Sequence, residues 1–121
     1  MAITGIKLRC PLAACHGLKV TASAAETGGA MDKYEDTIGV FFEDLASGAE
    51  GALVFFAPKI LLPKTDGSGI DFAAGETLYY DNTAKEVTNV SGGNTACGIA
   101  LEAADDDDTE VLAYFDGSPK S

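Results

Sequence analysis

Three cysteines and one histidine are the side chains of this 121-residue chain best suited to metal binding or nucleophilic chemistry. Cys10, Cys15 and His16 are close in sequence, and Cys97 is distant from them. A structural zinc site usually combines one closely spaced cysteine pair with a second, distant pair of ligands. Here only Cys97 remains for the second pair. We therefore predict packing or exposure for these residues and no metal site, with zinc binding as the alternative.

The chain also lacks an arrangement typical of catalysis. His16 is the only histidine, so a Ser-His-Asp or Cys-His site must use it, yet no nucleophile motif surrounds it and a surface position is the simpler interpretation. No spacing among the 19 carboxylates selects a pair for glycoside hydrolysis, and the chain contains no Trp to stack on a sugar. No glycine-rich segment continues into the Lys-Ser/Thr of a phosphate loop. We predict no catalytic residue, no enzymatic activity and no cofactor.

Four consecutive aspartates, Asp105, Asp106, Asp107 and Asp108, form the densest run of charge. Adjacent carboxylates repel each other unless water or a cation surrounds them. Calcium loops usually alternate their ligands and add a glycine and a distant glutamate, which this run does not do. The sequence therefore favours a solvated loop that protects a hairpin end from aggregation, and leaves a calcium site as the alternative.

The overall composition limits the class of protein and its partners. A hydrophobic content of 46% and a charged content of 22% are typical of one folded domain. The net charge of -11 opposes binding to nucleic acid and to anionic membranes. No apolar run approaches the ~20 residues of a membrane span, and we expect no signal peptide. The odd number of cysteines favours a reducing cytosol.

Short segments rich in Val, Ile, Thr, Phe and Tyr, separated by Gly, Asp, Asn and Ser, predict a β-protein. The predicted strands cover residues 18–22, 37–43, 51–57, 77–80, 87–90, 96–102 and 110–115. The turn sequence Asp81-Asn82-Thr83-Ala84 makes residues 77–90 a predicted hairpin. Helix signals are weak, and residues 43–50 are expected to form at most one short helical turn that ends at Gly48.

An internal repeat suggests how these strands combine. Residues 39–57 align without gaps with residues 98–116, and residues 17–20 resemble residues 75–78. Each strand–loop–strand unit has one apolar face that must be buried against the other unit. The predicted fold is thus all-β with little helix, a small β-sandwich or partly open barrel built from two repeated hairpin units. Chance similarity between apolar strands is the alternative.

We predict an N-terminal arm or first strand over residues 1–16, and one β-rich domain over residues 17–121 with repeats at about 17–57 and 75–116. Residues 1–25 carry a side-chain charge of +3 and no carboxylate, which leaves -14 for the remainder. This asymmetry is typical of an arm that lies on another protein, although an ordinary first strand is an equal alternative. Pro58 and Pro63 bracket an apolar stretch that should form either an edge strand or a contact surface, because proline is excluded from central strands.

The order of several weak motifs resembles the capsid cement, or decoration, proteins of tailed phages and prophages. Residues 17–28 resemble the opening strand and Ala-rich turn of that family, and Ile38-Gly39-Val40 resembles its Gly-Val strand. The further matching motifs are residues 50–54, Leu62-Pro63-Lys64, residues 75–81, Gly98-Ile99-Ala100 and Val111-Leu112. The resemblance covers residues 17–117 and does not extend to residues 1–16.

The resemblance implies a structural protein without enzymatic activity or cofactor, which binds the outer surface of the assembled phage capsid and stabilises it. It implies the major capsid protein and further copies of the chain, as a homotrimer, as partners. It also implies the outer surface of the virion as the final location, after synthesis in the cytoplasm of the host bacterium. The residues predicted to contact the capsid or another subunit are Ile3, Ile6, Lys7, Leu8, Arg9, Ile60, Leu61, Leu62 and Pro63. A metal- or calcium-binding β-domain of unrelated role is the alternative.

Overall fold

A computed structural model describes residues 7–8, 15–34 and 37–117, with the side chains of residues 7 and 8 left aside. This part of the chain contains nine β-strands and no helix, and thus none that is long and apolar enough to cross a membrane. The strands are β1 (Lys7–Leu8), β2 (His16–Thr21), β3 (Met31–Tyr34), β4 (Thr37–Phe41), β5 (Glu50–Pro63), β6 (Thr77–Asp81), β7 (Glu86–Thr88), β8 (Thr95–Ala100) and β9 (Glu110–Asp116).

The strands form one antiparallel sheet that is nearly closed, so the predicted all-β, partly open barrel is confirmed. The main path through the sheet runs β3-β4-β5-β9-β8-β6-β7, and β1 and β2 both pair with β5 outside this path. The predicted hairpin is present as β6 and β7. In its turn, the Asp81 carboxylate accepts the N–H of Thr83 at 2.9 Å, which is the local bond that makes Asp a turn residue.

The strand β5 is the centre of the sheet. Its first half pairs with β2 and β4, and its second half pairs with β9 and β1. The expectation that Pro58 excludes this stretch from a central strand is therefore wrong. The register between β5 and β9 shifts between Ala57 and Ile60, and this irregularity accommodates Pro58, whose nitrogen has no hydrogen to donate. Pro63 lies at the last position of the strand, where a missing donor matters least.

Two local predictions were incomplete or wrong. The strand β3 was not predicted, and its burial does not alternate, since Met31 is buried and Lys33, on the same side of the strand, is exposed. The short helical turn expected within residues 43–50 is absent. Leu45 instead forms a β-bridge with Glu26, in which each N–H donates to the other residue's carbonyl at 2.8–2.9 Å. Partners distant in sequence thus replace the local bonds of a helix.

The hydrogen bonds of this segment recur in the second half of the chain. Phe72 and Ala104 form the same two-way bridge as Glu26 and Leu45, at 2.9–3.0 Å. The β3–β4–β5 unit and the β6–β8–β9 unit therefore have equivalent loops.

A glycine precedes each of the equivalent strands β3 and β6. Gly29 donates to the Phe41 carbonyl at 2.8 Å, and Gly75 donates to the Ala100 carbonyl at 2.7 Å. Both glycines have a φ of 90°, in the region that glycine tolerates best. The counterpart of β6 is thus β3, and not β2 as the likeness between residues 17–20 and 75–78 suggests. The division into residues 1–16 and 17–121 stays a prediction.

Two contacts help to close the sheet by joining the β6–β7 hairpin to β3 and to the end of β5. The Lys85 ammonium lies 2.8 Å from an Asp32 carboxylate oxygen, and so joins the β6–β7 turn to β3. At the end of β5, Lys64 forms a parallel bridge with Val87 of β7, and the Thr65 N–H donates to the Val87 carbonyl at 3.0 Å. The ion pair is partly exposed, so it contributes at most about 1 kcal/mol, and the closure depends mainly on burial of the interior.

The interior contains two apolar clusters. The larger cluster consists of Met31, Ile38, Val40, Val54, Ala57, Ile60, Leu62, Phe72, Leu78, Tyr80, Val87, Cys97, Ala100, Ala104, Val111, Ala113 and Phe115. The smaller cluster consists of Val20, Ala22, Phe41, Leu45 and Leu53 and lies where β2 and β4 flank the first half of β5. Both clusters draw on β5, so this strand links the two parts of the core.

We expect Gly98→Ala to destabilise the fold by about 1–3 kcal/mol, because overpacking of a filled site has this cost. A Cβ at position 98 would overlap the carbonyl oxygen of Tyr114 on the neighbouring strand. The matched control is Gly92→Ala, since a Cβ at position 92 meets no atom within 4 Å. Urea unfolding of the purified variants measures both effects. Equal stability of the two variants would contradict the close approach of β8 and β9.

Candidate interaction surface

Several apolar side chains are exposed or half-buried on the outward side of β5, β8 and β9, although Lys59 of β5 is also exposed and Glu110 and Asp116 of β9 are half-buried. Along β9, the inward residues Val111, Ala113 and Phe115 are buried, and Tyr114, which points outward, is 39% exposed. Ile99 is 44% exposed and lies opposite Tyr114 in the pairing of β8 with β9. Residues opposite each other on adjacent strands share one face of the sheet, so these two side chains are neighbours.

Further apolar side chains extend this surface in both directions. Leu61 of β5 lies opposite Leu112 of β9, and the N–H of Leu101 donates to the Leu112 carbonyl at 2.8 Å. The ring of Phe56 meets the ring of Tyr114 edge-on, with the centroids 5.6 Å apart. We call Phe56, Leu61, Ile99, Leu101, Leu112 and Tyr114 the outer apolar face.

An aromatic row leads from this face to β2. The His16 ring lies 5.4 Å from the Phe56 ring and 6.4 Å from the Phe55 ring, measured between centroids. His16 is also exposed, which agrees with its interpretation as a surface residue.

A depression of about 330 Å³ adjoins the outer apolar face and is bordered by acidic residues. Its lining includes the apolar Leu61 and Leu112 and the acidic Glu102, Asp108 and Glu110. The surface therefore combines an apolar centre with negative charge at one end. A larger open groove of about 710 Å³ runs along β2 and β5 and is lined by His16, Leu18, Phe42, Val54 and their neighbours.

The structure places the predicted contact residues in three different environments. Ile60 and Leu62 are 0% exposed in the core, so their side chains have no surface to offer a partner and the prediction for them is corrected. They alternate with Leu61 and Pro63, which are half-buried and remain candidates. The error arose because an apolar stretch was treated as one surface, whereas an extended strand turns alternate side chains to opposite sides.

The N-terminal candidates are described only in part. The backbone of β1 pairs with β5, with Lys7 opposite Leu61 and Leu8 opposite Ile60. The N-terminal segment and the apolar stretch of β5, which were predicted separately to contact a partner, are thus neighbours. The other N-terminal candidates, Ile3, Ile6 and Arg9, lie outside the described residues.

The acidic run at residues 105–108 forms a tight turn. The Asp108 carboxylate accepts the N–H of Asp105 at 2.9 Å, and the Asp108 carbonyl accepts the ammonium of Lys64 at 3.1 Å. Lys64 is 1% exposed and donates also to the Thr65 carbonyl at 3.0 Å. A buried ammonium needs such acceptors, because an unpartnered buried charge is costly. The cation held by the backbone of this loop is therefore a lysine side chain.

The candidate metal ligands are dispersed. Cys97 is buried in the larger core cluster, and Cys15 is partly buried against the same cluster. Within residues 15–34 and 37–117, no three His, Cys, Asp or Glu side chains converge in a way that can hold a metal ion. Cys10 lies outside the described residues. No observation here favours the alternative of a metal- or calcium-binding domain.

A polar cluster of Glu26, Asp32, Tyr80 and Lys85 lies between β3 and the β6–β7 hairpin. Burial raises the pKa of the Glu26 carboxyl, and the charge of Asp32 and a hydrogen bond to it raise that pKa further, against the opposing effect of Lys85. Burial also raises the pKa of Tyr80, and its hydroxyl has no hydrogen-bond partner among the described residues. Tyr80 is 2% exposed, so this phenol is a core residue and not an accessible acid.

A model of the phage cement protein family matches residues 14–115. The chain therefore belongs to the phage cement protein family, whose members are structural proteins of the phage capsid and not a class of enzymes. No curated protein and no solved structure matches the chain. Membership implies association with the capsid and a location in the virion.

The sequence predictions missed the three most exposed members of the outer apolar face, namely Ile99, Leu101 and Tyr114. All three belong to segments that were predicted as strands, and none of them was predicted as a contact residue. The alternation of Val111, Leu112, Ala113 and Tyr114 showed that half of the side chains must point outward. It did not show that this outward half is apolar and exposed, because the neighbouring strands decide which face is covered.

We expect Glu26→Gln to raise the melting temperature by a few degrees at pH 7. Because the pKa of Glu26 is raised in the folded state, the protonated carboxyl stabilises the fold. This stabilisation is fully present below the ordinary pKa of 4.5, and it is lost as the pH rises through the pKa of the folded state. Gln mimics the protonated form, so its advantage should vanish below pH 4.5. Thermal melts across pH measure this difference.

The matched control for Glu26 is Glu43→Gln, at an exposed carboxylate. This control should melt like the wild type at both pH values. A Glu26→Gln variant that is less stable than the wild type at pH 7 would contradict the electrostatic interpretation of this cluster.

Proposed function

We propose that this protein binds the outer surface of the assembled phage capsid through the major capsid protein and stabilises the shell. Membership of the phage cement protein family over residues 14–115 is the observation that carries this proposal. The outer apolar face supports it, because a contiguous exposed apolar surface on a small protein commonly marks a site of protein–protein contact.

The proposed mechanism is thermodynamic linkage. A protein that binds the assembled shell, and not its dissociated subunits, stabilises the shell by the free energy of binding at each occupied site. If the binding surface forms only when the shell expands, attachment follows expansion without any further signal. A rigid β-barrel suits this task, because little conformational entropy is lost when preformed strands make the contact.

We further propose that the protein acts as a homotrimer. After one subunit of a trimer has bound the capsid, the other two are held at a high effective concentration next to their own binding sites. Three weak contacts can therefore give a long-lived complex. The net charge of -11 opposes uncontrolled aggregation of copies during synthesis in the host cytoplasm. The buried or half-buried thiols of Cys97 and Cys15 suit a reducing compartment.

Purified protein should bind phage heads that lack it, and should raise the temperature at which those heads disrupt. Sedimentation of the heads followed by quantitative gel analysis measures the bound copies, and a thermal release assay of the packaged DNA measures the stability. Unexpanded precursor heads are the control and should bind fewer copies. Saturating protein without added mass on expanded heads would overturn the proposal.

The homotrimer predicts a native mass of three times the chain mass of 12.4 kDa. Native mass spectrometry of the free protein, and counting of subunits on decorated heads by cryo-electron microscopy, measure the number of copies in each state. A single chain at every site on the head would exclude the trimer, while leaving capsid binding intact.

A further inference from the structure

We propose that the outer apolar face is the surface that contacts the major capsid protein, and that the capsid surface opposite it has an apolar centre beside basic residues. This inference deepens the proposed function and depends on it. It names a contact surface that differs from most of the residues selected from the sequence.

Exposure selects this face over other parts of the described surface. The exposed large hydrophobic residues are Val90, Ile99, Leu101 and Tyr114, at 48%, 44%, 40% and 39%. All except Val90 belong to the outer apolar face. Solitary apolar residues are normal on a surface, but a cluster that continues through Leu112 and Leu61 into a depression is unusual for a protein without a partner.

The outer apolar face is preformed, because most of its side chains are carried by paired strands. Its side chains lie on β5, β9 and β8, which pair with one another in the sheet, and at Leu101, directly after β8. The edge-on contact of Phe56 with Tyr114 orients the most exposed aromatic ring. Aromatic residues held on rigid strands are typical of the residues that dominate binding energy at protein interfaces.

Charge decides between the capsid and a second copy of this chain as the occupant. Glu102, Asp108 and Glu110 border the depression beside the apolar residues. A two-fold contact between two such faces would bring these carboxylates close to their own copies. A head-to-tail contact, as in a trimer, would place them against another surface of a protein with a net charge of -11. A capsid surface with Lys or Arg beside its apolar centre complements the same arrangement.

The first experiment uses the full-length double variant Ile99→Thr/Tyr114→Thr, since threonine keeps β-propensity while it removes most of the exposed apolar area. The matched control is Val90→Thr, at the exposed hydrophobic residue outside the face. Circular dichroism and melting curves establish that the variants fold. Binding to heads that lack the protein, and native mass spectrometry of the free protein, are the two readouts.

We expect the folded double variant to bind heads at least about tenfold more weakly, with its oligomeric state unchanged, and Val90→Thr to bind like the wild type. Wild-type binding by the double variant would overturn the inference. Loss of self-association instead of direct head binding would assign the face to contacts between copies, and would overturn it as well. Failure of the wild type to bind heads would refute the proposed function itself, so the two failures are distinguishable.

The second experiment tests the charge of the partner. Glu102→Lys reverses a charge at the depression, and Glu43→Lys reverses the aligned residue of the other repeat, which is also exposed. We expect Glu102→Lys to weaken head binding severalfold at low salt and less at high salt, and Glu43→Lys to have little effect. Equal effects of the two variants would contradict a localised basic partner surface.

Discussion

The strand β5 is the constraint on which the rest of the structure depends. Its fourteen residues exceed the length of an ordinary strand, and each half pairs with different neighbours. Because Leu53 pairs with both β2 and β4, and Ile60 pairs with both β1 and β9, both edges of the strand are used along its length. The two apolar clusters are therefore joined through one backbone, and neither repeat unit has a complete core without it.

A proline inside this central strand shows how such a constraint is met. A regular ladder has no place for Pro58, but an irregularity between Ala57 and Ile60 removes the requirement for a donor. The same alternation buries Ile60 and leaves Leu61 partly exposed. One stretch of sequence thus contributes to the core and to the outer apolar face at once.

Electrostatics has a local role in an acidic protein. The buried Lys64 ammonium, bound by two backbone carbonyls, anchors the loop that carries four carboxylates. The four carboxylates of this run are exposed to solvent, whereas the Asp32–Lys85 pair joins the β6–β7 turn to β3.

The sequence by itself determined the all-β class, six strands to within about two residues at each end, the first half of β5, the β6–β7 hairpin and the family. These features depend on local pattern: alternating apolar residues, turn residues such as Asp81, and the order of short motifs. The family resemblance could be recognised without any structure because motif order survives in the linear chain.

Only the tertiary structure decided which apolar residues are core and which are surface. Leu62 and Tyr114 are both large apolar residues within predominantly apolar stretches of sequence, yet Leu62 is fully buried and Tyr114 is 39% exposed. The reason is that the partner strands, which come from distant parts of the chain, cover one side of β5 and β9 and leave the other open. Contacts over long sequence separations also produced the Glu26–Leu45 bridge and the closure at Lys85, and no local window of sequence contains that information. The strand β3, by contrast, pairs with its neighbour β4 in a local hairpin.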